Sequence, residues 1–342
     1  MITSRRTILL PVAALVLAGC GGEAADALPA SEARSTGEPW EQMPADSLYG
    51  ALPAENLRVT PVVLDVFELP DGWNGMRIAA ISDLHLGVWE GNEVVAAAAV
   101  QRAMAANPDL IVLLGDYIDG RHDAAALARV LAPLRGRQAL AVLGDRDIRT
   151  DSIEAAVVRT FAAAGIPLLR NSAVEITRGD GTGLVVGLDP DMATESWATQ
   201  EYLLATIGGG GSAPLLLTHL PPLVARAPEG RFAAAVAGNT FCGQIEIPGT
   251  PRLSWLNNEA IPGAVIEGTE RIYRTEGTTM FVTCGVGFGY LPVRLGAPPE
   301  VALITLRTAG AAPEQPAAPD TSAAEGLLEQ YREGTLSSDT TG

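Results

Sequence analysis

Four short apolar runs in this chain each stop on an acid or an imidazole. Met76–Ser82 runs into Asp83-Leu84-His85, and Leu110–Leu114 into Gly115-Asp116-Tyr117-Ile118-Asp119. Ala139–Leu143 runs into Gly144-Asp145-Arg146-Asp147, and Leu215–Thr218 into His219. Runs of this length and composition read as strands buried on both faces. Between them lie Ala-rich stretches of helical length, Glu93–Ala106, Ala124–Leu134 and Ile153–Ala164. Strand and helix in alternation predict βαβ units, and so a mainly parallel sheet covered by helices. Further strands are expected at Ala173–Thr177, Leu184–Leu188, Ala233–Ala237, Thr279–Thr283 and Val301–Leu306. In open α/β sheets ligands bind at the carboxyl ends of the strands, where this chain places its acids and histidines.

A hard divalent cation is held by carboxylates and imidazoles converging from different strands. Asp83 and His85 offer one of each, two residues apart. Asp116 follows the next strand with lone pairs enough for two ions. Asp145 and His219 repeat the placement after two more strands. Taken singly, each motif has a plainer reading: a strand-end Asp is usually a helix cap, and a lone His a hydrogen-bonded core or surface residue. Their shared placement carries the metal hypothesis. The third histidine, His122, reads as a loop residue at a helix start.

The chain has 342 residues, with 40 acidic groups against 23 basic ones, every one of the latter Arg, for a net charge of −17. Such a surface repels nucleic acid phosphates, so no nucleic acid partner is expected. Residues 1–19 read as a signal segment: Arg5 and Arg6 precede an apolar stretch, Ile8 to Leu17, too short to span a bilayer. Leu17-Ala18-Gly19-Cys20 resembles a bacterial lipobox with Cys20 as the lipidation site, and Ser4-Arg5-Arg6-Thr7-Ile8-Leu9 resembles a twin-arginine signal. An exported protein, lipid-anchored to the cell membrane or envelope, is therefore expected. Residues 20–56 read as a flexible tether, 57–308 as the folded domain, and 309–342 as a disordered tail of Pro, Ala and acids. Cys242 and Cys284 leave a disulfide open, because the Cα separation it needs cannot be read from sequence.

Several segments together resemble the calcineurin-like metallophosphoesterases, in particular an exported bacterial branch with twin-arginine signals. They are Ile81-Ser82-Asp83-Leu84-His85-Leu86-Gly87, Pro108-Asp109-Leu110 leading into Gly115-Asp116, Leu217-Thr218-His219-Leu220-Pro221, and Gly285-Val286-Gly287 through Leu291-Pro292-Val293-Arg294 to Pro299-Glu300. The resemblance implies an α/β fold, a four-layer α/β/β/α sandwich of two mixed sheets. It also implies one or two divalent ions (Mn, Fe, Zn or Mg) and a phosphorylated small-molecule or lipid substrate. One ion would be held by Asp83, His85 and Asp116, the other by Asp116, Asp145, His219 and Asn239.

Departures from the family pattern fall inside these motifs. Gly144-Asp145-Arg146-Asp147 stands where the family reads Gly-Asn-His-Asp, so Asp145 replaces an Asn ligand and Arg146 a His that assists the leaving group. By this resemblance Arg146 and Asp147 are the catalytic positions. Arg cannot serve as a general acid near neutral pH, although it can hold phosphate. Gly238-Asn239-Thr240-Phe241-Cys242-Gly243-Gln244 stands where the family reads Gly-His-Thr-His-Gly-Gly-Gln, and both imidazoles are gone. Two readings stay open: a metal-dependent phosphoester hydrolase of reduced activity, and an inactive, membrane-tethered binding module. Arg294 likewise reads either as a substrate contact or as the partner of an acid such as Glu300.

Overall fold

Parity within the strands separates the layers. In β2 (Arg77–Ile81), Ile78 and Ala80 point to one side and Ala79 and Ile81 to the other. The split recurs in β3 (Leu110–Leu113), where Leu110 and Val112 oppose Ile111 and Leu113, and in β4 (Ala139–Ala141). Successive side chains of a strand alternate in direction, so a sheet covered on both faces needs apolar residues at both parities. This is the physical origin of the uninterrupted apolar runs.

The computed structural model describes residues 56–119, 124–190, 215–226, 231–243, 265–267, 271–275, 278–289, 294 and 297–310. All of them lie in one compact unit, Pro44–Gly342. The expected signal segment, Cys20, most of the tether, His122 and the tail beyond residue 310 lie outside the described residues. No helix among the described residues is long and apolar enough to cross a membrane.

Two mixed sheets form the domain. The first has the order β1 (Arg58–Val66), β12 (Glu300–Thr308), β2, β3, β4. The second runs β5 (Ser172–Arg178), β6 (Gly181–Leu188), β7 (Leu215–Thr218), β8 (Ala234–Ala237), β11 (Thr278–Val282), β10 (Ile272–Thr275), β9 (Val265–Glu267). Strands β2–β3–β4 and β6–β7–β8–β11 are parallel, with antiparallel partners at the margins. Between the sheets lies a core that includes Ile78, Val112, Val142, Leu217, Val236 and Phe281. Helices α1 (Glu90–Ala105), α2 (Ala124–Leu131) and α3 (Asp151–Ala164) cover the outer face of the first sheet. On the second sheet's outer face, Leu223 and Val224 of a 3-10 turn, Pro221–Arg226, pack with Phe232 over Leu216 and Val282. This is the α/β sandwich of two mixed sheets that the family resemblance implies.

Element boundaries differ for local reasons. Helix α2 stops at Leu131 and tightens into a 3-10 turn over Ala132–Leu134, where Pro133 lacks the N–H a continuing α-helix needs. Helix α3 begins at Asp151 because the Thr150 hydroxyl accepts from the Ile153 N–H at 3.3 Å, and it ends at Gly165, whose φ of 72° suits a left-handed cap. Strands β1, β9 and β10 were not expected. Of these, β1 owes its place to parallel pairing with β12 along its whole length.

Register brings the functional loops to common edges. Ile81 pairs with Leu113 and Leu113 with Ala141 in the first sheet, while Thr218 and Val282 both pair with Ala237 in the second. The loops after β3 and β4 are then joined by Tyr117. Its buried hydroxyl donates to Val142 O at 2.7 Å, with Leu113 O at 2.9 Å, and accepts from the Gly115 N–H at 3.1 Å. Replacing Tyr117 by Phe strands those backbone groups, so Tyr117→Phe should lower unfolding free energy by about 1–3 kcal/mol in urea titration. Unchanged stability would show that the hydroxyl does not tie the loops.

Candidate metal centre

The loop after β2 places Asp83 and His85 in left-handed conformations, with φ of 59° and 45°, and the loop after β3 does the same for Asp116 at 57°. Non-glycine residues rarely adopt this region, and they persist there only where the surroundings over-determine them. Here backbone bonds lock the two loops together: Asp83 N–H donates to Gly115 O, His85 N–H to Asp116 O and Leu86 N–H to Tyr117 O, at 2.9–3.0 Å. Asn92 of α1, fully buried, adds a brace by donating to His85 O at 2.7 Å and to Phe288 O at 3.1 Å.

Asp83, Asp116 and His219 are buried, and each offers a ligand atom within 4.8 Å of the others. His85 joins them, its Nε2 lying 3.4 Å from Asp116 Oδ2 and 3.8 Å from Asp83 Oδ1. The protein ties one polar atom of Asp83, Asp116 and His219 and aims another inward. Asp83 Oδ2 accepts from the Asn239 N–H at 3.1 Å, and Asp116 Oδ1 from the Arg146 N–H at 2.9 Å. His219 Nδ1 bonds to Leu114 O at 2.7 Å, an arrangement that places the proton on Nδ1 and leaves the Nε2 lone pair free. His85 Nδ1 lies 3.4 Å from Asp119 Oδ2. The inward atoms Asp83 Oδ1, His85 Nε2 and His219 Nε2 are buried without a hydrogen-bond partner. Buried polar atoms are normally satisfied, so orphans sharing one centre mark a place where a ligand supplies the missing partner. Carboxylate oxygens and imidazole nitrogens suit a divalent cation such as Mn, Fe, Zn or Mg. The residues present fit a divalent metal.

Asp145, also expected as a ligand, sits at the rim with a side chain 46% exposed; its Oδ1 is 3.4 Å from His219 Nε2 and its Oδ2 is 3.6 Å from Arg146 Nε. The Arg146 guanidinium lies between Asp145 and Asp119, 3.9 Å from the latter. Asn239, expected to offer its side-chain oxygen, reaches the cluster through its backbone N–H. Phe241 lays its ring against His85, centroids 5.0 Å apart.

Asp147 departs from its expected catalytic role. Both its oxygens are engaged by backbone: Oδ2 accepts from Asp116 and Gly144 N–H, and Oδ1 from Tyr117 N–H, all at 2.8 Å, with Ile118 N–H at 3.4 Å. Fully buried, it is a staple that orients Asp116. Nor does Arg294 pair with Glu300: it donates to carbonyls of Gly287, Cys284 and Ala297, and Glu300 belongs to Arg271. Sequence reasoning passed over Asn92, Asp119 and Arg149, whose Nη1 donates to Asp119 Oδ1 at 3.2 Å. The three-residue spacing of Asp116 and Asp119 was the available signal for Asp119; a polar residue at the start of an Ala-rich helix gave none for Asn92.

Electrostatics follow the crowding of charge. Burial opposes protonation of His85, but Asp119, Asp83 and Asp116 outweigh it and push its pKa up to about 9. His219 is likewise raised well above the ordinary histidine range, with Asp116, Asp145 and Asp83 overcoming burial. Burial would raise Asp83, yet His85 and His219 hold it below the usual carboxylate value. His219 also keeps Asp145 low. Asp147 is pushed up to about 7, by burial first and then by Asp116.

Residues 76–173, which include Asp83, His85, Asp116 and Asp145, match the family model described as calcineurin-like phosphoesterase. A Danio rerio transmembrane protein with metallophosphoesterase domain is 27% identical over 278 residues, which span 77% of this chain and 60% of that protein. An uncharacterized metallophosphoesterase of Bacillus subtilis (strain 168), YkuE, is 26% identical over 245 residues, covering 70% of this chain and 82% of YkuE. The crystal structure of phosphopantetheinyl hydrolase from Mycobacterium tuberculosis superposes with a TM-score of 0.41 at 14% identity, over 73% of this chain and all of that one, too loosely to carry an argument. The family model and the sequence relatives support the calcineurin-like metallophosphoesterase superfamily.

A raised histidine pKa makes stability depend on pH. The folded state holds the His85 proton more tightly than an unfolded chain, whose histidine titrates near about 6.5. That contribution is complete below the unfolded value and is lost as pH rises through about 9. Protein prepared without metal should therefore lose thermal midpoint progressively from about pH 6.5 to 9. Millimolar Mn²⁺, which competes with the protons for the same lone pairs, should flatten or reverse that slope. A midpoint independent of pH and of Mn²⁺ would contradict this electrostatic description.

Proposed function

We propose that this chain is a metal-dependent phosphoester hydrolase of the cell envelope, with a divalent cation held by Asp83, Asp116 and His219 and with His85 beside them. The observation that carries the reading is the convergence of buried donor groups from three strand-end loops, with Asp83 Oδ1, His85 Nε2 and His219 Nε2 lacking any hydrogen-bond partner. When bound, a divalent cation supplies a Lewis acid for a phosphoryl oxygen and acidifies a coordinated water. Arg146, 20% exposed at the rim, supplies positive charge for the phosphoryl oxygens in a partly desolvated setting. Asp119 holds that guanidinium on one side and orients His85 on the other. Asp145 faces both His219 and Arg146, where it can extend the donor set toward solvent. A guanidinium keeps its proton, so Arg146 gives no general acid assistance; turnover should favour esters whose leaving groups need none, such as aryl phosphates.

The envelope assignment rests on Leu17-Ala18-Gly19-Cys20 and the apolar stretch before it. In the same proposal residues 1–19 are removed, Cys20 carries lipid, and the substrate is a phosphorylated small molecule or lipid. Radiolabelled palmitate should enter the full chain and not a Cys20→Ala variant; equal labelling would remove the anchor from this reading. The binding-module alternative has no observation of its own among the described residues.

Hydrolysis of bis(p-nitrophenyl) phosphate and p-nitrophenyl phosphate with added Mn²⁺ tests the catalytic claim. Asp116→Asn keeps the shape but removes a ligand charge, so turnover should fall by on the order of a hundredfold or more while the thermal midpoint is retained. Chelation of the wild type should give the same loss, restored by Mn²⁺. Undiminished turnover in Asp116→Asn would refute the assignment.

A further inference from the structure

Two loops of the second sheet grip Asp83. The loop after β8 donates the Asn239 N–H to Asp83 Oδ2 at 3.1 Å, and Gly238 N–H bonds to His219 O at 3.2 Å. From the loop after β11, Gly287 N–H donates to Asp83 O at 2.7 Å and Val286 N–H to Ser82 O at 2.9 Å. Gly285 packs so closely that a Cβ there would strike the Asp83 carboxylate. With Oδ2 held, Asp83 has only Oδ1 to offer the centre.

The first of these loops is conformationally costly. Asn239, Phe241 and Cys242 have φ of 71°, 49° and 53°, three left-handed non-glycine residues within four positions. Each such residue is conformationally unfavourable and needs an external restraint. The described residues show what supplies it. Cys242 and Cys284 form a disulfide, Cα atoms 4.7 Å apart, that joins the two loops directly. Arg294, buried, reinforces the join by donating to Phe241 O at 3.4 Å on one loop and to Cys284 O and Gly287 O on the other, at 3.0 and 2.8 Å, with its guanidinium against the rings of Phe241 and Phe288. The Cys284 side is anchored beneath. Glu300 accepts from Cys284 N–H and from the Thr283 hydroxyl, both at 2.9 Å, and forms a two-pronged ion pair with Arg271. Arg271 Nη1 also lies 2.9 Å from Cys284 Sγ and 3.5 Å from Cys242 Sγ.

We propose that the Cys242–Cys284 disulfide, with Arg294 across the same two loops, positions Asp83 for the cation, so that opening the disulfide weakens metal binding in a protein that remains folded. Cys242 and Cys284 are thus positioning residues that act through Asn239, Gly285 and Gly287. This inference rests on the metal reading above. A disulfide that merely stabilised the fold would alter the unfolding transition and leave the affinity of the folded protein unchanged.

The test is isothermal titration of the full chain with MnCl₂ at fixed pH, comparing wild type, its thiols confirmed oxidised, with Cys242→Ser/Cys284→Ser, at a temperature where circular dichroism shows both folded. The expected result is a Kd weaker by about tenfold or more in the variant, the size typical of losing a group that orients a ligand. Equal affinities, within about twofold, would overturn the positioning role and leave the metal centre standing. Wild type that takes up no Mn²⁺ would overturn both. Should the double variant fail to fold, amide exchange of the wild type with and without a phosphine reductant gives the answer. The Asn239 and Gly287 amides should lose protection before those of β8 and β11, and unchanged protection at the two amides would count against the proposal.

Discussion

Two carboxylates and two imidazoles share one buried space, and the rest of the structure depends on how that crowding is held. Each of Asp83, His85, Asp116 and His219 has one polar atom facing the protein and another facing the centre. Burying unpaired charges is costly, so such a cluster persists only if its members neutralise one another or a cation does so for them. With protons alone, the imidazoles carry the positive charge, which is why both histidine pKa values rise despite burial. A divalent cation offers the same compensation to atoms already aimed at it.

Holding the cluster in place takes a second set of buried polar groups that never touch the centre. Asp147 gathers the N–H groups of Asp116, Tyr117 and Gly144, while Tyr117 reaches back to β3 and β4. Gly144 lies so close to Asp116 that a Cβ there would collide with its carboxylate. Asn92 holds His85 by its carbonyl. These groups stabilise left-handed backbone that side-chain-bearing residues otherwise avoid, and the local strain and the chemistry fall on the same residues.

Much of this arrangement was legible in the sequence because strand burial leaves a simple record. Apolar runs ending in Asp or His located β2, β3, β4 and β7, and the grouping of Asp83, His85, Asp116 and His219 followed from their shared place at the carboxyl ends of strands. Strand β1 escaped notice because its partner, β12, lies more than two hundred residues away, and local pattern carries no trace of that pairing. Direction was the other limit. Nothing in Gly144-Asp145-Arg146-Asp147 tells which carboxylate turns outward, and the structure sends Asp145 to the rim and Asp147 into the backbone. The same holds for Asn239, which contributes its N–H instead of its side chain, and for Glu300, which pairs with Arg271 instead of Arg294. The Cys242–Cys284 bridge depends on a Cα separation that only the fold supplies.

The central claim is that the inward-facing atoms form a cation site, and its most direct test is anomalous diffraction from crystals grown with Mn²⁺ or Zn²⁺, recorded above and below the metal absorption edge. The account predicts a peak bounded by Asp83 Oδ1, Asp116 Oδ2 and His219 Nε2, with His219 Nδ1 still on Leu114 O. A map with no peak there at millimolar metal, or with the His219 ring turned so that Nε2 faces away from Asp116, would contradict it.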